Sequence, residues 1–272
     1  MKLTDDQVRN FQDRICEYYR QHGRPFPWRD VTDPYDIWVS EVMLQQTQAD
    51  RVVPKYQEFV TRFPEVETLA GAKLSTVLGQ WSGLGYNRRA IALHKGAGYV
   101  MDSYGGVLPE SIEELVTIPS IGPYTARAIR TFAANEPHAF IETNIRSVFI
   151  HEFCGDREDV TDSELMPLIE QTIVMENPRE WYAALMDYGT MLKKSGINPS
   201  RRSKHHVRQS KFEGSRRQLR GLIVRNMLEG HRRRAELLAL LPDKSAELDG
   251  IIDQLINEGF LVARGATIKL AD

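Results

Sequence analysis

Apolar residues recur along most of this chain at the three-to-four spacing of amphipathic helices, and no convincing alternating run predicts a strand before residue 258. The clearest pattern opens at Asp33-Pro34, an N-cap and first-turn pair. It continues through Ile37, Trp38, Val42, Leu44, Val52, Val53, Tyr56 and Phe59. Further helices are expected over about 4–21, 66–80, 87–103, 111–116, 123–134, 144–154, 162–175 and 178–195. Gly83-Leu84-Gly85, Tyr104-Gly105-Gly106, Pro119, Gly122-Pro123 and Pro137 mark the joints. From about 196 to 214 the composition shifts to Ser, Arg, Lys and His, which predicts a basic connector. Helices follow over about 216–229, 233–241 and 245–257, then two short strands, 260–263 and 266–270, turning at Arg264-Gly265. Three helices and a small hairpin outline a winged helix, a fold that binds DNA or proteins and so assigns no activity by itself.

Composition narrows the class. The chain has 272 residues, 42% hydrophobic and 26% charged, enough for one large or two modest domains. No run approaches the length of a membrane span, and the charged start MKLTDDQVRNFQDR lacks the apolar stretch of a secretory signal. Two isolated cysteines, Cys16 and Cys154, exclude a disulfide framework and a four-cysteine metal site within the chain. A cytoplasmic protein, nucleoid-associated if bacterial, is the expectation. The net charge of −2 hides an asymmetry: residues 193–234 carry fourteen Lys and Arg against Glu213 and Glu229, a segment of +12. Such a block suits a phosphate backbone, or equally a solvated linker.

Candidate chemistry concentrates in IPSIGPYTARAI, residues 118–129. A tight Pro-x-x-Gly turn before a helix that begins at Pro123 exposes first-turn amides suited to a phosphate, and its carbonyls are able to hold a monovalent cation. Glu41 lies four residues after Ile37 and three before Leu44, on an apolar stripe where burial would raise its pKa and suit it to general acid work.

Four blocks occur in register: PWRDVTDPYDIWVSEVMLQQT (27–47), WSGLGYNRRAIALHKGA (81–97), the 118–129 hairpin and FIETNIRSV (140–148). Together they resemble the helix-hairpin-helix (HhH-GPD) DNA glycosylases, and the first two resemble the MutY-type adenine glycosylases. The likeness covers residues 1–195. It implies a mainly α, two-lobed all-helical glycosylase domain, followed by the connector at 196–214 and the winged-helix-like domain at 215–272. The implied activity is removal of a mispaired base in base excision repair, by default adenine opposite guanine or 8-oxoguanine. Thymine or uracil in G mismatches, hypoxanthine, or a catalytically inactive DNA-binding protein are the alternatives. The partner is double-stranded DNA with a mismatched or damaged base, bound by a monomer.

By the same resemblance Glu41 protonates the departing base and activates water. Glu142, beside Asn144, stands where relatives carry an Asp facing the sugar, one methylene longer. Tyr124 replaces the Lys of bifunctional relatives and is unable to form an imine, which implies a monofunctional enzyme. Arg24, Trp28 and Arg29 match the wall of the base pocket. Gln46, Thr47, Leu84 and Tyr86 match residues that wedge into the duplex or touch the opposite base, although Trp28, Leu84 and Tyr86 suit plain core packing equally well. Ser120, Gly122 and Thr125 in the hairpin, and Arg201, Arg202 and Lys204 in the basic segment, are the expected DNA contacts.

The sequence departs from the family at four points. The cluster cysteines are replaced by Lys193, Ser200, Ser203 and about Gln209, so no [4Fe-4S] cluster and no metal is expected. Ala183 stands where relatives read the adenine edge. No Nudix-like domain is expected within these 272 residues, and Ser120 occupies the hairpin's usual first glycine.

Overall fold

The structure, a computed structural model, describes residues 1–207 and 211–271; Arg208, one of the fourteen basic residues of the 193–234 run, and Gln209, named above among the cysteine positions, lie outside them. The chain is mainly helical. Helices α1 (Asp5–His22), α2 (Pro34–Leu44), α3 (Ala49–Arg62), α4 (Val66–Ala70), α5 (Leu74–Gln80), α6 (Arg88–Tyr104) and α7 (Ile112–Leu115) come first. They are followed by α8 (Pro123–Ala134), α9 (Thr143–Phe153), α10 (Asp162–Thr172) and α11 (Pro178–Lys194). The C-terminal part runs α12 (Arg216–Leu228), β1 (Arg232–Arg233), α13 (Arg234–Leu238), α14 (Ser245–Asn257), β2 (Leu261–Arg264) and β3 (Thr267–Leu270).

Two compact units form. One comprises Met1–Glu41, Pro109–Thr117 and Ile121–Arg208; the other comprises Val42–Leu108, Ile118–Ser120 and Gln209–Asp272. Among the described residues no helix is long and apolar enough to cross a membrane.

In the first unit, sequence sets the helix boundaries through caps. Thr4 and Gln7 form a reciprocal capping box at α1, Thr161 and Glu164 another at α10, and Asn177 caps α11 ahead of Pro178 at its first position. The core is aromatic. Phe11 meets Phe149 and Trp181 edge-on at 5.4 and 5.6 Å, and Phe140 stacks on Tyr182 at 3.9 Å. α9 and α11 pack so closely that a Cβ on Gly189 would lie 2.4 Å from the Asn144 carbonyl oxygen. The described part of the segment after α11 packs on this unit. A short 3-10 turn, Pro199–Arg202, packs on α9, and Val160 donates its amide to Arg202 (3.0 Å) and accepts one from Lys204 (3.0 Å).

In the second unit, α3 through α6 bury Val52, Phe59, Leu69, Val77 and Trp81. The C-terminal elements complete it: α14 buries Leu248, Ile251, Ile252 and Leu255, and a sheet of order β1-β3-β2, antiparallel throughout, closes the wing. Three features differ from expectation. The helix expected over about 66–80 is two, α4 and α5, parted at 71–73. The pattern from Pro34 to Phe59 breaks at 45–48, where Gln46 takes a left-handed backbone (φ 55°). The two-residue strand β1 is too short to leave any periodicity in the sequence.

Candidate active site

Glu41 lies on α2 and is only 6% exposed. Burial pushes its pKa up to about 7; the Tyr124 hydroxyl, which donates to it, pulls the other way, and the nearby Glu142 charge adds to the rise. Tyr124 is at the second position of α8, half-buried, with its ring edge-on to Phe140 at 5.5 Å. Phe140 is itself fixed by stacking on Tyr182, whose hydroxyl donates to the His138 carbonyl at 2.8 Å. A train of buried rings therefore sets where the Tyr124 oxygen sits. Burial first, then Glu41 and Glu142, raise the Tyr124 pKa, so it stays a neutral donor.

Glu142 is the N-cap of α9. Its Oε1 accepts from the amides of Asn144 (2.6 Å) and Ile145 (2.8 Å), and its Oε2 from Asn144 Nδ2 (3.2 Å). The side chain thus folds back on the helix start, which absorbs the extra methylene. Burial lifts the Glu142 pKa above the usual carboxylate range, against the opposing pull of the Ile145 amide, Lys193 and the Asn144 amide. Asn144 links the cap to α11, since its Oδ1 accepts from Lys193 Nζ at 2.8 Å. Burial lowers the Lys193 pKa, while Glu142 partly restores it. Both carboxyl groups are desolvated, but their partners differ: Glu41 accepts from the Tyr124 hydroxyl, whereas Glu142 accepts from backbone amides and is faced by Lys193.

Arg24 and Arg29 are committed elsewhere. Both bind Asp187 of α11, which is 2% exposed: Arg24 through its amide (2.9 Å) and Nε (2.7 Å), Arg29 through both terminal nitrogens (2.8 and 2.7 Å). Burial raises the Asp187 pKa, but Arg29 and Arg24 outweigh it and hold the carboxyl below its usual range. The two arginines therefore organise the 24–29 segment around α11. Arg29 also reaches the Ala183 carbonyl (3.4 Å), and Trp28 stacks on Phe26 at 4.9 Å.

The remaining candidates divide. In the second unit, Gln46 is exposed on its left-handed backbone, whereas Leu84 is 3% exposed and packs inside. Tyr86 (φ 47°) and Ser120 (φ 76°) are also left-handed, a strained conformation for residues with a side chain. Thr125 is buried, so its hydroxyl is not offered to a phosphate; Gly122, the N-cap of α8, is exposed. Arg201 and Lys204 are exposed, while Arg202 is engaged by the Gly155 carbonyl and Asp156.

The positions that would ligate a cluster do not fit one. Lys193 serves Asn144, the buried Ser200 donates to Asn198 (2.6 Å), the buried Ser203 accepts from the His205 amide (3.1 Å), and none supplies a thiolate. Among the described residues no group of three or more His, Cys, Asp or Glu is placed to hold a metal ion.

Three side chains make organising contacts that the sequence did not point to. Arg89 binds the carbonyls of Val42, Met43 and Gln45 (2.8, 2.8 and 2.5 Å), the Thr47 hydroxyl (3.1 Å) and the Gly85 carbonyl (3.1 Å), so it closes the end of α2 and fixes both the 45–47 and 83–86 loops. Burial pushes its pKa down to about 10. The doublet Arg88-Arg89 inside a quoted block was the available signal. Lys193 and Asp187 gave none, because their partners are remote in sequence.

The first unit thus carries a buried carboxyl acid and a second carboxyl group capped by amides. Residues 39–173 match the family described as HhH-GPD superfamily base excision DNA repair protein, and the chain belongs to that superfamily. It is 34% identical over 184 residues to the adenine DNA glycosylase of Buchnera aphidicola subsp. Baizongia pistaciae, covering 67% of this chain and 52% of that one. It is 28% identical over 266 residues to the adenine DNA glycosylase of Mycolicibacterium smegmatis, covering 91% of each. The chain spans about half the length of the first curated relatives it matches, 52% and 53% for two Buchnera proteins and 44% for a Mycobacterium tuberculosis one. A thermostable thymine-DNA glycosylase is similar in structure with a TM-score of 0.63 and 25% identity, covering 70% of this chain and 89% of that chain. A trapped endonuclease III–DNA covalent intermediate shares the fold at a TM-score of 0.54 and 18% identity, covering 70% of this chain and 86% of that one.

Proposed function

We propose that this protein is a cluster-free DNA glycosylase of base excision repair that hydrolyses the N-glycosidic bond of adenine mispaired with guanine or 8-oxoguanine. The observation that carries the reading is the pair Glu41 and Glu142, two carboxyl groups whose surroundings give them opposite tasks. Glu41 holds its proton up to about pH 7 and delivers it to the departing base. Glu142, held by the Asn144 and Ile145 amides and faced by Lys193, stabilises the oxocarbenium-like sugar in its carboxylate form. Glu41, then a carboxylate, takes the proton of the attacking water. Tyr124 orients Glu41 and is no amine, which supports base release without strand cleavage.

Adenine is favoured by the names of the relatives. Exposed Gln46 on its strained loop and exposed Arg201 and Lys204 suit a duplex partner. The test is a panel of duplexes with adenine opposite guanine, adenine opposite 8-oxoguanine, thymine or uracil opposite guanine, and hypoxanthine, resolved with and without alkali. Strand scission at adenine only after alkali is expected. Scission without alkali overturns the monofunctional assignment, another preferred lesion overturns adenine, and no release from any duplex overturns the enzyme.

A further inference from the structure

The segment 82–87 joins α5 to α6 within the second unit, and its Tyr86 holds φ 47°. A bulky residue keeps that backbone only where its surroundings fix it. Arg89 lies on one approach, 5.6 Å from the ring centroid. The other comes from the C-terminal elements: Arg217 on α12 donates to the Tyr86 hydroxyl at 2.6 Å, with its guanidinium carbon 5.8 Å from the ring. Two residues after Tyr86, Arg88 is held by Glu258, the residue that ends α14. Glu258 also accepts two bonds from Arg220 of α12 (3.1 and 2.7 Å), and this double clasp keeps its carboxyl ionised, with its pKa drawn down to about 2.

Of these elements α12 carries four arginines, but the helix placed to enter a groove is poorly built to read DNA. In a helix-turn-helix arrangement the second helix enters the major groove. Here that helix is α14, SAELDGIIDQLIN, with Glu247, Asp249 and Asp253 and neither Lys nor Arg. Asp249 and Asp253 are taken by Arg234 at 2.7 Å each, and the helix surface offers phosphates no cation of its own.

We propose that the 215–271 domain acts as a brace on the glycosylase, with Arg217 and Glu258 as positioning residues that hold the Tyr86 loop in its strained, working conformation. The link to catalysis rests on the glycosylase reading above; the link to loop order does not.

Two measurements on the full chain test this. Hydrogen exchange at residues 84–89 is expected to quicken about tenfold in Arg217→Met and in Glu258→Gln, with the α9 and α11 amides unchanged. Single-turnover adenine release at saturating enzyme is expected to fall roughly tenfold in the same variants, while affinity for an undamaged duplex stays within about twofold. Arg217→Lys, which keeps a donor for Tyr86, recovers most of the rate. Tyr86→Phe slows release as Arg217→Met does, and the double variant is no slower than either single one, because both remove one contact. Unchanged exchange at 84–89 in both variants overturns the brace. So does loss of affinity for undamaged duplex with exchange unchanged, which makes α12 a direct DNA contact. If the wild-type protein releases no base, the glycosylase reading fails while the exchange experiment still decides the brace.

Discussion

Tyr124 donates its hydroxyl hydrogen to Glu41, and the ring that carries this hydroxyl stands edge-on to Phe140 at 84°. The bond stabilises the ionised Glu41, opposing burial and Glu142, and the balance falls at about 7. Removing the donor by Tyr124→Phe leaves burial unopposed, so the Glu41 pKa rises. A pH–rate profile of single-turnover base release is predicted to lose activity above about pH 7 in the wild type and at higher pH in Tyr124→Phe. An unmoved alkaline limb contradicts this coupling.

A buried acid destabilises the fold when it ionises. The folded pKa of Glu41, about 7, lies above its ordinary 4.5, so the native state holds a proton that the unfolded chain releases. Stability from this group is complete below pH 4.5, declines as pH rises between the two values, and is lost above 7. Glu41→Gln keeps the shape without the titration. Denaturant unfolding is expected to show the variant gaining on wild type from pH 5 to pH 8, by up to about 3 kcal/mol.

Lys193 faces the other carboxyl group. In Lys193→Met the charge that lowers the Glu142 pKa disappears, and Asn144 loses its 2.8 Å donor. Glu142 then protonates at higher pH, so the acid limb of the same rate profile moves upward and the rate at neutrality falls. An Arg at this position, which restores the charge, is expected to bring the limb most of the way back.

Gly189 is required by approach rather than by turn geometry. A Cβ there would meet the Asn144 carbonyl oxygen at 2.4 Å and its carbonyl carbon at 2.7 Å, both rigid backbone atoms. Gly189→Ala must push α9 from α11, at a cost of about 1–3 kcal/mol. Because Glu142 caps α9 at that same end, base release is predicted to fall more than tenfold at temperatures where circular dichroism finds the variant folded.

The helices were legible because their apolar spacing is regular and Thr4, Thr161 and Asn177 announce their starts. The break at 45–48 was not, since Gln46 carries no glycine-like mark of its left-handed backbone. Glu41 was readable from its apolar neighbours alone. Glu142 was readable as a carboxylate of longer reach, but its use as a cap depends on φ and ψ at one residue. The pairing of Arg24 and Arg29 with Asp187 left no local signal, because the partners lie 163 and 158 residues apart. For Leu84 the sequence left duplex contact and core packing equally open, and the burial of Leu84 and Thr125 is decided by packing that no local pattern records.

The central claim is that Glu41 supplies the proton for base departure. Single-turnover release of adenine opposite 8-oxoguanine, followed for wild type and Glu41→Gln with duplex binding measured in parallel, tests it most directly. The account predicts a rate lower by about 10²–10⁴-fold in the variant with duplex affinity retained. A variant that binds the duplex and releases adenine at the wild-type rate would contradict it.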